Sequence, residues 1–187
     1  MNRRALLTLA LASLAGCRSE TAGLDAFGTV PDFALTDQTG QPFAGKSMRG
    51  KVWVANFMFT NCMGPCPRMT SRLHQIQEET AALAGVEIVS FTIDPANDTP
   101  VVLAAYAQQH AASPERWHFL TGPQSALHQL SRNVFKLGDV DGTLTHSTRF
   151  VLVDRGMDIR GFYDSFDPDD MKKLATDIGA LSRERKR

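Results

Sequence analysis

A continuous apolar run that ends in a pair of cysteines is the feature that most constrains the fold. Residues 52–59 are almost all apolar, and Cys62 and Cys66 follow shortly after them. An unbroken apolar run of this length is typical of a strand that is covered on both faces. We therefore expect a buried strand with two thiols at its exposed end. Such a pair could either bind a soft metal or cycle between dithiol and disulfide.

The size and charge of the chain suit one globular domain. The chain has 187 residues, of which 43% are hydrophobic, with 20 basic and 20 acidic residues. This length is sufficient for one core. The balanced charge gives no reason to expect nucleic-acid binding, for which a basic surface is usual. We interpret the basic tail at residues 183–187 as a solvated helix end.

The first residues have the pattern of an export signal. Arg3 and Arg4 precede an uncharged run over residues 5–15, which is too short to span a bilayer but suits a signal peptide. The run ends in Leu14-Ala15-Gly16-Cys17, which resembles a bacterial lipobox. We therefore expect a cleaved signal peptide over residues 1–16 and a lipid anchor on Cys17, at the periplasmic face of a bacterial membrane. The alternative is an ordinary signal peptide followed by an unmodified cysteine.

The rest of the chain alternates between strand and helix patterns. In chain order the predicted elements are a hairpin that begins at 32–36, a strand at 51–59, a helix at 65–83, a strand at 86–93, a helix ending near 110, a strand at 117–120, a helix at 124–134, paired strands at 148–153 and 157–163, and a helix at 168–181. This order favours an α/β fold, and a thioredoxin-like three-layer sandwich with a mixed central sheet and an added N-terminal β-hairpin fits it. The domain is expected to cover residues 29–182, after a lipidated tether over 17–28.

The spacing of the two cysteines bears on their chemistry. A separation of four places both sulfur atoms on one side if the intervening turn is helical. Amide N–H groups at the helix start are expected to favour thiolate and so to lower the cysteine pKa values. Two thiolates favour Cu(I), and a third ligand would complete a trigonal site. A structural zinc site would usually need four protein ligands, and no further cysteine is available for it.

His146 is the candidate for the third ligand. It immediately precedes the predicted strand at 148–153, and the loop before this strand lies beside the cysteine pair in thioredoxin-like folds. Thioredoxin-like oxidoreductases carry a cis-proline in this loop, but no proline occurs here between Pro123 and Pro168. A histidine in this place therefore favours a metal site. We interpret the other four histidines as structural or surface residues; they are His74, His110, His118 and His128.

Several further segments, taken together, indicate a known family more specifically than any one of them does alone. They are residues 31–40, residues 50–62 followed by Cys66-Pro67, the D-P-x-x-D-T-P pattern of Asp94–Pro100, and His146-Ser147 before an apolar strand. With these segments the chain resembles the Sco/SenC family of thioredoxin-like copper chaperones, from about residue 30 to about residue 180. The resemblance implies that Cys62, Cys66 and His146 are copper ligands.

The resemblance also implies a role and partners. The usual role of the family is to deliver copper to the binuclear copper centre of a haem–copper oxidase, or to keep the thiols of that centre reduced for metallation. The implied partners are the oxidase subunit that carries this centre, a copper donor protein, and the membrane through lipidated Cys17. We therefore expect an extracytoplasmic binding and transfer protein for Cu(I) or Cu(II) rather than an enzyme.

Two residues depart from the family pattern, and they leave open which further residue could bind copper. The residue after the first cysteine is often proline in the family but is Met63 here, and the residue before the histidine is often aspartate but is Thr145 here. Asp139 or Asp141 could supply an oxygen ligand instead, although a turn also explains them.

Thioether ligands and the Asp94–Pro100 loop have alternative interpretations too. Met63 and Met69 could each offer a thioether to Cu(I), but we interpret Met69 as core packing and Met63 as cover for the loop. In the Asp94–Pro100 loop, we expect Asp98 to cap the following helix. The alternative is that the loop forms a docking or gating surface near the copper site.

Two other functions compete with copper transfer. A thiol–disulfide oxidoreductase would use Cys62 as the attacking thiol and Cys66 as the resolving thiol, and it would reduce the cysteines of such a copper site. A thiol peroxidase would need an arginine-supported peroxide pocket, which the sequence does not locate near Cys62.

Overall fold

A mixed sheet is built around the apolar strand that precedes the cysteines. The computed structural model describes residues 23–138, 140, 144 and 147–184. Within these residues the strands are β1 (Ala34–Asp37), β2 (Pro42–Ala44), β3 (Val52–Met58), β4 (Val86–Thr92), β5 (Trp117–Thr121), β6 (Arg149–Val153) and β7 (Ile159–Asp164). The helices are α1 (Cys66–Glu79), α2 (Pro100–Gln109), α3 (Gln124–His128) and α4 (Pro168–Arg183). A 3-10 turn at Gly45–Met48 follows β2, and a π-helical turn at Gln129–Val134 continues α3.

The strand order determines what lies together at one edge of the sheet. The order is β2-β1-β5-β4-β3-β6-β7, in which β3, β4 and β5 are parallel and β6 runs antiparallel to β3. Because β7 is antiparallel to β6, the ends of β3, β4 and β7 and the start of β6 share an edge. We call this the cysteine edge; it comprises residues 59–65, 93–99, 147–148 and 165–167.

Both faces of the central strand are covered, as the unbroken apolar run predicts. All seven residues of β3 are buried. Val54 packs with residues of α1, α2 and α4 on one face, whereas Trp53 and Phe57 pack with residues of α3 and the β1–β2 hairpin on the other. The helices on both faces of a mixed sheet confirm the predicted α/β sandwich. The N-terminal hairpin joins it through antiparallel pairing of β1 with β5.

A proline precedes helix α1, and an arginine from another part of the chain binds the carbonyl groups at its end. Pro65 precedes its first residue, Cys66, and the helix ends at Glu79 rather than extending to residue 83. The guanidinium of Arg116 donates to the carbonyl oxygens of Gln77 and Thr80 at 3.3 and 3.0 Å. These bonds satisfy carbonyl groups that the end of the helix leaves unpaired.

Helix α2 corrects one expectation about capping. Its N-cap is Thr99, whose hydroxyl accepts from the amide of Val102 at 3.5 Å. The prediction that Asp98 caps this helix is wrong, because the Asp98 carboxylate accepts hydrogen bonds from two strand ends instead. The helix closes with Ala111 in the left-handed region at φ 51°.

The segment before β1 lies along the outer strand β7. Backbone hydrogen bonds join Phe27 to Ile159 and Val30 to Met157, at 2.9 and 2.8 Å. The Arg160 guanidinium also donates to the carbonyl of Leu24 at 2.6 Å. The chain is therefore tied to the sheet from Leu24 onward.

The predicted export and anchoring segments are not part of this description. Residues 1–22, which include the expected signal peptide and Cys17, lie outside the described residues. Among the helices that the structure describes, none is long and apolar enough to cross a membrane.

Candidate functional site

The two cysteines lie together at the cysteine edge. Cys62 is in the connection after β3, where its amide donates to the carbonyl of Phe59 at 3.4 Å, and Cys66 is the first residue of α1. Both are thiols outside any disulfide, with 9% of Cys62 and none of Cys66 exposed. Both belong to the apolar core between the sheet and helices α1, α2 and α4. The predicted pairing of the two thiols at this junction therefore agrees with the structure.

The Cys66 thiol is held in its protonated form. Burial raises its pKa well above the ordinary value, and its hydrogen bond with Cys62 and the charges of Cys62 and Asp98 act in the same direction. A backbone hydrogen bond with Phe59 acts in the opposite direction but does not outweigh burial. The expectation that the helix start lowers the pKa is therefore wrong for Cys66. A fully buried thiol loses more hydration than a few amide dipoles replace.

Asp98 fixes the base of the cysteine connection. Its carboxylate is fully buried and accepts from the amide of Thr60 at 3.2 Å and from the Thr60 hydroxyl at 2.5 Å. The Thr92 hydroxyl donates at 2.5 Å to Oδ2, the oxygen that also accepts from the Thr60 amide, whereas the Thr60 hydroxyl donates to Oδ1. Because Thr60 follows β3 and Thr92 ends β4, one carboxylate joins both strand ends to the start of α2. The Asp94–Pro100 loop therefore lies beside the thiol pair.

Sequence reasoning missed this role of Asp98 because its partners are distant in the chain. Thr60 and Thr92 lie 38 and 6 residues away from it. The usable signal is a threonine at or just after the end of each of two adjacent parallel strands, with an aspartate after the second strand.

Tyr106 is a second buried group near the thiols that the sequence did not indicate. Its hydroxyl is 2.8 Å from the hydroxyl of Thr70, one turn after Cys66 on α1. Burial raises the pKa of Tyr106 to about 12, and the charges of Cys66, Cys62 and Asp98 contribute to this increase. The wall of the site between α1 and α2 therefore presents a neutral hydroxyl.

The histidines predicted to be structural have contacts within the fold. His118 bonds to Glu87 at 3.0 Å, and His128 accepts from the amide of Val140 at 3.2 Å. The ring of His110 lies 4.3 Å from that of Tyr106. Burial, and then the neighbouring His74, lower the pKa of His110.

The segment that leads toward the predicted histidine is anchored at both described ends. Ser131 lies in the π-helical turn that continues α3, and its hydroxyl donates to the carbonyl of Gly138 at 2.8 Å. At the other end, the amide of Ser165 donates to the carbonyl of Thr148 at 3.1 Å, just before β6. The topology thus brings residues 147–148 to the cysteine edge.

Several predicted ligands lie outside the described residues. They are His146, the alternatives Asp139 and Asp141, and the lipidation candidate Cys17. Among the residues that are described, no group of three or more His, Cys, Asp or Glu side chains is arranged to hold a metal ion. The cysteine pair is thus the part of the predicted ligand set that can be described geometrically.

The two methionines near the site have opposite environments. Met69 has no exposed surface and packs in the core, as expected. Met63 is 100% exposed. Its predicted role as cover for the loop is wrong, because the side chain covers nothing.

These features define a class of protein. A thioredoxin-like sandwich carries two neighbouring thiols, not joined in a disulfide, at the strand-to-helix junction. Such a pair can bind a soft metal ion after losing its protons, or it can exchange with a disulfide.

Comparison with known proteins agrees with this class and narrows it. The family model described as SCO1/SenC matches residues 22–182, so the chain belongs to the SCO1/SenC family. A protein of Stutzerimonas stutzeri that is named for copper binding is 31% identical over 180 residues, with 85% of each chain covered.

Two solved structures are similar over most of their length. A SCO1/SenC family lipoprotein from Bacillus anthracis str. Ames is 32% identical with a TM-score of 0.76, which covers 83% of this chain and 95% of that one. BsSco, a member of the Sco family of cytochrome c oxidase assembly proteins in which a disulfide switch was identified, is 30% identical with a TM-score of 0.75. That match covers 85% of this chain and 96% of BsSco.

Proposed function

We propose that this protein is a copper chaperone that carries Cu(I) on the thiolates of Cys62 and Cys66, with His146 as the third ligand. The observation that carries the proposal is the pair of neighbouring, buried thiols at the cysteine edge, which are not joined in a disulfide. Thiolates are soft ligands that select Cu(I). With one thiolate from the connection after β3 and one from the start of α1, a trigonal Cu(I) site needs one more ligand. Membership of the SCO1/SenC family and the copper-binding name of a 31% identical relative support copper as the cargo.

The acceptor we propose is the binuclear copper site of a haem–copper oxidase, and a copper donor protein would supply the ion. BsSco belongs to a family of cytochrome c oxidase assembly proteins, which supports this acceptor. Transfer requires only ligand exchange. The acceptor's thiolates or imidazoles replace Cys62, Cys66 and His146 one by one, and copper remains Cu(I) throughout.

A competition titration tests the copper site. The reduced protein competes with a chromophoric Cu(I) chelator, and the wild type is compared with Cys62→Ser/Cys66→Ser and with His146→Ala. We expect the double variant to lose binding, and His146→Ala to weaken it by at least roughly tenfold, or about 1.4 kcal/mol. His118→Gln is the matched control, because His118 pairs with Glu87 away from the thiols. Wild-type binding no tighter than that of the double variant would refute the proposal.

The contact between the two thiols favours a second candidate function. Cys66 forms a hydrogen bond with Cys62, and Cys62 is the more exposed of the two. As a thiol–disulfide oxidoreductase, the Cys62 thiolate would attack a disulfide of the acceptor and form a mixed disulfide. The Cys66 thiol would then attack the Cys62 sulfur of the mixed disulfide and release the thiol of the acceptor. This leaves a Cys62–Cys66 disulfide and a reduced acceptor. Cys66→Ser should trap the mixed disulfide on a non-reducing gel, and its absence with an oxidised acceptor peptide would exclude this function.

We also propose a lipid anchor on Cys17 at the periplasmic face of the membrane. The lipobox-like pattern supports it, as does a 32% identical lipoprotein of the same family. Labelled palmitate should be incorporated into the wild type but not into Cys17→Ser. Equal labelling of both proteins would contradict the anchor.

A further inference from the structure

The side chain of Met63 lies in solvent, and the residue stands between Cys62 and Cys66 in the sequence. It is 100% exposed, more than any other exposed large hydrophobic residue that the structure describes; the next is Val101 at 79%. A methionine in this position gains nothing from burial. Its thioether is nevertheless directly next in sequence to Cys62.

The thiols themselves are poorly accessible. Cys62 is 9% exposed and Cys66 has no exposed surface. The Met63 side chain is therefore far more accessible to an ion from solvent than either cysteine. A thioether is a soft ligand that binds without losing a proton, and its weak binding allows fast exchange.

The loop is fixed at its ends and open at its apex. Hydrogen bonds from Thr60 to Asp98 hold one end, and the amide of Met69 donates to the carbonyl of Pro65 at 3.0 Å at the other. Between them, a Cβ placed on Gly64 would have, apart from its two chain neighbours, only the Sγ of Cys62 within 4 Å, at 4.0 Å. The space beside Gly64 is therefore open and adjoins the Cys62 sulfur.

We propose that Met63 is the entry ligand of the copper site, and this proposal rests on the copper-carrying function above. The Met63 sulfur donates a lone pair to Cu(I) as a ligand of the donor departs. The Cys62 sulfur then binds the ion, its thiol proton passes to water, and the bond to Met63 breaks. Copper stays Cu(I), so no oxidant or reductant is needed.

The rate of loading tests this assignment separately from affinity. Stopped-flow absorbance follows Cu(I) transfer from a chromophoric chelator to the reduced full chain. Met63→Leu, which keeps the size and apolar character but removes the sulfur, should slow transfer by roughly tenfold. The final partition of copper should stay unchanged. Val101→Ala is the control for an exposed apolar side chain without sulfur, and it should leave the rate unchanged.

Two outcomes would overturn the proposal. An unchanged rate in Met63→Leu would show that the sulfur takes no part in loading. A loss of affinity as large as the loss of rate would make Met63 a resident ligand rather than an entry ligand. If the wild type takes up no Cu(I), the copper-carrying function itself fails.

A second measurement does not depend on copper loading. In Cys62→Ser/Cys66→Ser, the methyl NMR signal of Met63 should shift on titration with Ag(I), a soft ion of the same charge. The signal of buried Met69 should not shift. A Met63 signal that stays unchanged would refute soft-ion binding at this residue.

Discussion

Asp98 is a fully buried carboxylate beside two buried thiols. Its hydrogen-bond partners determine how unfavourable the burial of its charge is. An isolated buried charge is strongly unfavourable, but charge-assisted hydrogen bonds from Thr60 and Thr92 replace its lost hydration. Removing the charge while keeping the shape leaves these donors without a matching acceptor. The same charge also contributes to the raised pKa of Cys66.

Asp98→Asn should destabilise the reduced protein by about 1–3 kcal/mol, because an amide nitrogen replaces one accepting oxygen. Urea unfolding followed by circular dichroism measures this change. The pKa of Cys66 should also fall, so its alkylation at a fixed alkaline pH should be faster than in the wild type.

Asp94→Asn is the matched control for this prediction. Asp94 is in the same loop, but its carboxylate accepts from the side chain of Asn97 at 2.8 Å in an exposed position. Its replacement should change the stability by no more than about 0.5 kcal/mol. Equal effects of the two substitutions would contradict the special role of Asp98.

At the scale of elements, α2 ends in a left-handed backbone conformation that disfavours the residue found there, Ala111. Ala112 donates to the carbonyl of Ala107 at 3.0 Å and Ala111 to that of Gln108 at 3.1 Å, which is a Schellman pattern. Glycine usually occupies the left-handed position, but here Ala111 holds φ 51°. Ala111→Gly should therefore stabilise the protein by about 1 kcal/mol.

A substitution of opposite sign provides the control for α2. Ala105 is exposed within the helix, so Ala105→Gly should destabilise by about 1 kcal/mol. Thermal and urea unfolding would measure both variants. The same sign for both would contradict the argument from the helix end.

A partly buried ionic cluster links Glu87 of β4 with His118 of β5 and with Lys51, which directly precedes β3. Although burial by itself raises the pKa of Glu87, hydrogen bonds from His118 and Lys51 outweigh it and the pKa is lowered. The distances to these partners are 3.0 and 2.6 Å. The stability from this cluster is therefore present above the unfolded pKa of about 4.3, and it is lost as the pH falls through the lower folded value.

Glu87→Gln should flatten the loss of stability in that acid range. Urea unfolding between neutral pH and about pH 3 measures the slope, which covers the titration of carboxyl groups. Lys51→Met removes one of the two donors and should give an intermediate slope. Wild-type and Glu87→Gln slopes that coincide would refute the assignment.

The strength of sequence-based prediction differed between elements for physical reasons. The run of β3 was predictable because a strand buried on both faces is apolar along almost its whole length. The change from α3 to a π-helical turn at Gln129 was not, because no residue pattern distinguishes it from a continuing helix. The cysteine pair was predictable from its position after β3. The wall formed by Thr70 and Tyr106 depends on how two helices pack, so the spacing did not indicate it.

At the scale of the whole molecule, the thiols are part of a core rather than an appendage. Cys62 and Cys66 pack in the same apolar cluster as Leu73 of α1, Leu103 of α2 and Leu174 of α4. An ion bound to the thiols would therefore stabilise the fold and not only the loop.

Cu(I) loading should raise the stability by about 2.7 kcal/mol when the free ion is at roughly 100 times its dissociation constant. Differential scanning calorimetry of the reduced protein under a Cu(I) buffer would measure this as a higher Tm. Cys62→Ser/Cys66→Ser should show no increase. A rise of the same size in the double variant would place the ion elsewhere.

With the proposed lipid anchor on Cys17, the segment along β7 would limit how far the fold can lie from a membrane. It runs antiparallel to β7, so Leu24 lies nearer the cysteine edge than Val30 does. Between Leu24 and the proposed anchor at Cys17 there are few residues, and a fully extended chain of that length reaches about 25 Å. With Cys17 lipidated, Leu24 would be held within about 25 Å of the lipid surface. The fold could then not move far from a membrane-bound acceptor of its copper.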